Sequence, residues 1–264
     1  FAWAKILSIR LMPSSYDIVG SIAVLKFRDE KLNPKKNIAR EILKQHSNIK
    51  TVVEKSERVK GRLRTIKIRH LAGVKTSIAE YKENGCRFKF DIEKCYFSSR
   101  LASERMEIAK IAKKTDEVLV MFAGAGFYPI VIEKIAKPKK IVSVELGRKC
   151  CEYALINNKL NKSHIEVFQG DVKRIVPKLD RKFSFIVMPR PNLKETFLKE
   201  AFGAAKKGAR IVYYTFCQER DFEETKSRII AEAKLAGKKM RFLQVKKAGD
   251  IAPYTFRWRV VFRV

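Results

Sequence analysis

Acidic residues are scarce in this sequence. The 264-residue chain has 28 Asp and Glu against 58 Lys and Arg, a formal net charge of +30. Solubility alone does not need such one-sidedness, and lysine-rich thermophilic surfaces usually carry the balancing Glu that is missing here. A polyanionic partner is expected, with nucleic acid the first candidate. Histidine is also sparse, with His46, His70 and His164 standing singly. The five cysteines (Cys86, Cys95, Cys150, Cys151, Cys217) are odd in number and contain no C-x-x-C pair. No metal site is expected from them; they read as reduced, buried small hydrophobes of a cytoplasmic protein. No apolar run approaches the roughly 20 residues of a membrane span, so no membrane association is expected. No secretory signal is legible, and the first residue is Phe1 rather than Met, so residues upstream are expected. What is present is a 46% apolar fraction, enough to fill a sizeable core and to exclude wholesale disorder.

Two modest domains fit the length. Residues 1–90 read as a small basic α+β domain. An apolar run over 18–25 predicts one buried strand, and Ile38, Ile42 and Leu43 predict a helix over about 36–45. Thr51–Val53, Thr65–His70, Thr76–Tyr81 and Cys86–Ile92 read as strands, the last two joined by a hairpin turn at Glu83-Asn84-Gly85. Residues 50–75 carry nine Lys and Arg against Glu54 and Glu57. As a group they read as a phosphate-contacting surface, with Lys60, Arg62, Lys67 and Arg69 as candidates.

Residues 91–264 alternate strand and helix. A helix from Arg100 to about Lys113, capped by Ser98 or Ser99, comes first. Strands at 118–122, 141–145, 165–168, 185–188 and 210–216 then alternate with helices at 150–157, 194–205 and 223–235. Strands near 241–245 and 258–264 close the chain. This pattern predicts a parallel doubly wound sheet with antiparallel closure.

The first of these strands ends in Phe122-Ala123-Gly124-Ala125-Gly126, where glycines let backbone N–H groups approach a ligand. Glu145 closes the next strand, where an acid can hold ribose hydroxyls. Asp171 follows the third strand in Gln169-Gly170-Asp171-Val172. The full G-x-G-x-x-G is absent, which favours S-adenosylmethionine over a nicotinamide dinucleotide.

Four segments carry a resemblance. They are Tyr16-Asp17-Ile18-Val19-Gly20, Lys82-Glu83-Asn84-Gly85-Cys86-Arg87-Phe88, the run from Tyr96 to Arg105, and Met121 to Gly126. Together they resemble the archaeal and eukaryotic tRNA (guanine-37-N1)-methyltransferase family over nearly the whole chain. The resemblance implies a class I, Rossmann-like methyltransferase sheet behind the small N-terminal domain. It also implies methylation of the purine 3′ of the anticodon, with S-adenosylmethionine as cofactor and the anticodon stem-loop of tRNA as partner, by a monomer. The family's catalytic base lands on Glu104, with Arg100 and Arg105 beside it. Its guanine-oxygen arginine lands on Arg64, with Arg62 and Arg69 as alternatives. Its cofactor contacts land on Tyr96, Arg105, Phe122, Gly124, Gly126, Glu145, Asp171, Val172 and Pro191.

Three positions depart from the family: Val120 replaces an Asp, Phe127-Tyr128 replaces Pro-Phe, and Pro189-Arg190-Pro191 replaces Asn-Leu-Pro. The Asn expected to hold the guanine amino group is therefore missing, and Arg190 or Asn192 is the expected substitute on the RNA. From spacing alone, Arg100 and Glu104 also fit an ordinary i,i+4 helix ion pair. Two alternatives remain: an aminocarboxypropyl transferase acting on the same nucleotide, and a non-catalytic RNA-binding protein on a methyltransferase fold.

Overall fold

The computed structural model describes residues 16–27, 34–56 and 65–264. The expected contacts at Lys60, Arg62 and Arg64 lie outside these residues. The chain divides into two compact units, Phe1–Arg100 and Leu101–Val264.

In the first unit the apolar run over 18–25 is two strands rather than one. β1 (Asp17–Val19) and β2 (Ile22–Leu25) form an antiparallel pair, because Gly20 turns the chain at a φ of +60°. Helix α1 (Lys35–Gln45) then crosses to β3 (Thr51–Lys55), which pairs in parallel with β2, and β4 (Ile68–Gly73) adds antiparallel. Helix α1 lays Ile38, Ala39 and Ile42 on the sheet, against Ala23, Leu25, Val52 and Leu71. β5 (Ile78–Glu83) and β6 (Cys86–Asp91) form the expected hairpin, with Asn84 at φ +50° and Gly85 at φ +72°. Two positive φ angles in a two-residue loop match the right-handed twist of the flanking strands, which is why Asn-Gly signals it.

The second unit begins at Leu101, the last residue of a 3-10 turn (Ser99–Leu101). Its elements are α2 (Ala102–Ile111), β7 (Glu117–Met121), α3 (Phe127–Ala136), β8 (Lys140–Glu145), α4 (Arg148–Asn161) and β9 (Glu166–Gln169). The short α5 (Val172–Ile175), β10 (Phe183–Met188), α6 (Leu198–Ala204), β11 (Ala205–Gln218), α7 (Phe222–Leu235), β12 (Arg241–Ala252) and β13 (Thr255–Arg263) follow. The seven strands run in the order β12-β13-β11-β10-β7-β8-β9. The five from β11 to β9 are parallel, and β13 inserts antiparallel beside β11. This is the Rossmann-like methyltransferase sheet expected from the sequence. The order reverses between β7 and β10, and the carboxyl ends of strands flanking such a reversal leave a crevice for a ligand.

The two central strands are apolar over Val118–Met121 of β7 and Phe185–Met188 of β10, as strands covered on both faces must be. Leu119, Met121, Ile186, Met188, Ile211 and Tyr213 share one core with α6, α7 and Trp258. The outer strand β12 is mostly exposed, and its pairing with β13 slips at Phe242/Gln244, Lys247/Asp250 and Asp250/Ala252.

Two of the helix boundaries that differ from expectation have a visible cause. Leu101, not Ser98 or Ser99, occupies the cap of α2, because the chain enters through the 3-10 turn. Helix α6 starts at Leu198 rather than 194. The buried Arg190 guanidinium takes the carbonyls of Leu193 and Glu195, and Phe197 sits at φ +59°, so residues 193–197 cannot wind. No helix among the described residues is long and apolar enough to cross a membrane.

Candidate active site

The turn after β7 is built for a ligand's close approach. Phe122, Gly124 and Gly126 have φ of +62°, +58° and +89°. A side chain at Gly124 would meet only the Phe127 ring, at 3.8 Å, so space stands open above its backbone. Gly126 caps α3 and lies against α4, where an added Cβ would come within 3.1 Å of Ile130 and 3.6 Å of Ala154. The turn is held from behind by fully buried Asn157, whose amide donates to the Ala125 carbonyl at 2.9 Å.

Glu145, at the end of β8, ties this turn to the next one. Its Oε2 accepts the Gly124 N–H and its Oε1 the Gly147 N–H, both at 2.8 Å. Burial pushes its carboxyl up, against the N–H groups of Gly147, Gly124 and Leu146 that favour the charge. Burial, and then the same carboxylate, push the neighbouring Cys151 thiol up to about 12, so Cys151 stays a neutral thiol. Asp171 caps α5, its Oδ1 accepting the Lys173 N–H at 3.0 Å, and Val172 beside it is buried. Phe122 meets Phe197 edge-on, with centroids 4.9 Å apart. Phe122, Gly124, Gly126, Glu145, Asp171 and Val172 therefore converge on the carboxyl edge of the parallel strands. Pro191, half-buried after β10, lies on the same edge.

Helix α2 carries the second cluster. Glu104 is buried at 7% exposure. Both its carboxylate oxygens accept from Arg259 Nη1 at 3.0 Å, and Oε1 also accepts the Tyr214 hydroxyl. Arg259 Nη1 lies 2.9 Å from Glu107, and Nη2 donates to Gln244 at 3.1 Å. Arg257, two residues away on β13, sits 3.7 Å over the Tyr214 ring and donates to the Tyr128 hydroxyl at 3.2 Å. Arg105, also buried, lies against the rings of Phe127 and Tyr128. None of Tyr128, Tyr214, Arg257 or Arg259 was legible as a site residue. The alternation of Arg257 and Arg259 along an otherwise apolar strand was the signal, since two inward-facing charges in a core strand need partners.

Other expectations are redirected. Arg100 does not pair with Glu104; its Nη2 lies 2.8 Å from Asp17 in the first unit, on an exposed surface. Arg190 does not face solvent as an RNA contact would. It is 4% exposed and donates to the carbonyls of Tyr214, Leu193 and Glu195, and burial lowers its pKa. Asn192 is exposed. In the first unit Tyr96 is 40% exposed, Lys67 is exposed, and Arg69 is exposed with its guanidinium 3.0 Å from Glu54. Among the described residues no cluster of His, Cys, Asp and Glu could hold a metal.

Comparison with known proteins decides the family. The model described as the TRM5/TYW2 methyltransferase domain matches residues 79–242, and that of the TYW2 N-terminal domain matches residues 6–76. The chain belongs to the TRM5/TYW2 methyltransferase family. It is 34% identical to the tRNA (guanine(37)-N(1))-methyltransferase Trm5b of Pyrococcus abyssi, over 97% of this chain and 76% of that one. It is 30% identical to the tRNA (guanine(37)-N(1))/4-demethylwyosine(37)-methyltransferase Taw22 of Nanoarchaeum equitans, over 93% of this chain and 98% of that one. Among solved structures, an archaeal Trm5 in complex with tRNALeu superposes with a TM-score of 0.85 at 28% identity, over all of this chain and 75% of that one.

Proposed function

We propose that this chain transfers a methyl group from S-adenosylmethionine to N1 of guanosine 37 in tRNA, with Glu104 as general base. The observation that carries this reading is the likeness to Trm5b along 97% of the chain. The residues at the carboxyl edge fit the cofactor. Gly124 leaves open space, Glu145 keeps lone pairs beyond its two backbone bonds, and Asp171 and Val172 supply a polar and an apolar wall. Glu145 would hold the ribose hydroxyls, with Phe122, Gly126, Pro191 and Arg105 completing the site. Bound there, the cofactor supplies an electrophilic methyl group.

Guanine N1 carries a proton and is a poor nucleophile until that proton leaves. Glu104 accepts it, and the electron pair left on N1 takes the methyl group. The charge that spreads to O6 needs a cation, the role we assign to Arg64. The target lies in a loop, so it can be splayed into a pocket without breaking a duplex. Lys60, Arg62, Lys67 and Arg69 would contact phosphates of the anticodon stem-loop, and the protein would act as a monomer.

A second reading, methylation of 4-demethylwyosine at the same position, is favoured by the likeness to Taw22 and by Pro189-Arg190-Pro191, which alters the purine's expected partner. Nucleoside mass spectrometry of tRNA incubated with labelled cofactor tests both. One methyl on N1 of guanosine 37 is expected. A product methylated only on the tricyclic base supports the second reading. A product heavier by an aminocarboxypropyl group, or none at all, overturns both. Glu104→Gln is expected to lower turnover by about 100- to 10,000-fold.

A further inference from the structure

A glutamate on a helix has three rotatable side-chain bonds, so a base of this kind must be aimed by something stiffer than itself. Glu104 meets such a support. Tyr214 on β11 and Arg259 on β13 are direct cross-strand partners, so their side chains leave the same face of the sheet. Both converge on the one carboxylate, the hydroxyl on Oε1 and the guanidinium on both oxygens.

Each support is itself fixed. Arg259 is 1% exposed and anchored at its other nitrogen by Gln244 of β12. Burial works against its charge, and Glu104, Glu107 and Tyr214 together more than restore it. Tyr214 is fully buried, with Arg257 stacked 3.7 Å above its ring, and burial holds its phenol far above the ordinary range, so it remains a neutral donor. Arg257 reaches on to Tyr128, two residues past Gly126. One polar chain thus runs from the glycine turn through Tyr128, Arg257 and Tyr214 to Glu104. It carries a buried cation, Arg257, whose Nη1 has no acceptor among the described residues. An apolar filling of the same volume would avoid the desolvation cost of these groups, so a purely packing role does not account for them.

We propose that Tyr214 and Arg259 are positioning residues for Glu104, fixing the direction in which its carboxylate meets the purine. This rests on the reading of Glu104 as the base. The two supports divide the task. The guanidinium can only donate, so it favours the ionised carboxylate that is ready to accept a proton. The Tyr214 hydroxyl can donate or accept, so it donates to the carboxylate before the transfer and can accept from the carboxylic acid afterwards. The N1 proton ends on a Glu104 oxygen and leaves to solvent when product departs.

The test uses the full chain with tRNA and S-adenosylmethionine, measuring kcat, KM for tRNA, calorimetric cofactor affinity and thermal midpoint. Tyr214→Phe removes one oxygen. It is expected to lower kcat by about 100-fold, the scale of a misplaced reacting group, with KM and cofactor affinity unchanged. Arg259→Met is expected to do the same, and Arg259→Lys to recover part of the loss, since a lysine keeps the charge but reaches one oxygen. If Arg259 variants do not fold, Tyr214→Phe decides alone. Wild-type kcat in Tyr214→Phe, or a loss that appears equally in KM, cofactor affinity and thermal midpoint, overturns the proposal. Full turnover in Glu104→Gln would instead overturn the base itself, so the two failures are distinguishable.

Discussion

Asn157 on α4 and the Ala125 carbonyl meet at 2.9 Å, so a helix three elements downstream fixes the turn that follows β7. The turn contains two glycines and a strained Phe122, and it has little stiffness of its own. Asn157→Leu leaves the buried Ala125 carbonyl without that donor, at a cost of about 1–3 kcal/mol. The expected result is a lower thermal midpoint together with weaker cofactor binding, read by calorimetry. An Asn157→Leu protein that binds cofactor as tightly as wild type would show that the turn holds itself.

Glu145 gives a pH signature. Its carboxyl is raised by burial, so the folded state binds a proton more readily than the unfolded chain. Stability from this group is fully present below the unfolded carboxyl range and is lost as pH rises through the raised folded value. Thermal midpoints measured across that window should fall with pH in the wild type. The fall should be absent in Glu145→Gln, which carries a constant penalty because its amide nitrogen faces one of the two backbone N–H donors. Parallel curves would remove Glu145 as the source.

Arg190 separates scaffold from RNA contact. Replacing it with Met strips donors from the carbonyls of Tyr214, Leu193 and Glu195, each worth about 1 kcal/mol or more. A marked loss of stability is expected, while the salt dependence of tRNA binding stays as in wild type. A flattened salt slope with an unchanged midpoint would return Arg190 to the RNA surface.

Charge reversal at Lys67, exposed on the first unit, should weaken tRNA binding and flatten the slope of log affinity against log salt by about 0.7–0.9 per contact removed. Titrations at several salt concentrations read this directly. An unchanged slope would make the basic stretch a solvated face.

Much of this architecture was legible in the sequence because the parallel strands are apolar runs separated by helical patterns. Val118–Met121 and Phe185–Met188 needed no tertiary information. The hairpin at Asn84-Gly85 was equally plain, since few residues tolerate two positive φ angles. What failed depended on distant partners. The start of α6 is set by a guanidinium arriving from Arg190, and the break between β1 and β2 by a single Gly20 inside an apolar run. At the site, the glycine turn, Glu145 and Asp171 were readable because their roles are local to strand ends. The partners of Glu104 were not, because Tyr214 and Arg259 lie more than 100 residues away and meet only when β11 and β13 pair.

The outer edge of the large sheet bears on how the protein behaves at high concentration. An open edge strand offers unpaired backbone groups on which another chain can polymerise. β12 is such an edge, yet Lys246, Lys247 and Asp250 line it and its register with β13 breaks three times. A second strand laid along it would meet charges and kinks rather than a straight ladder. The twelve residues of β12 thus terminate the sheet, so the long, apolar interior strands can coexist with a chain that resists fibrous self-assembly.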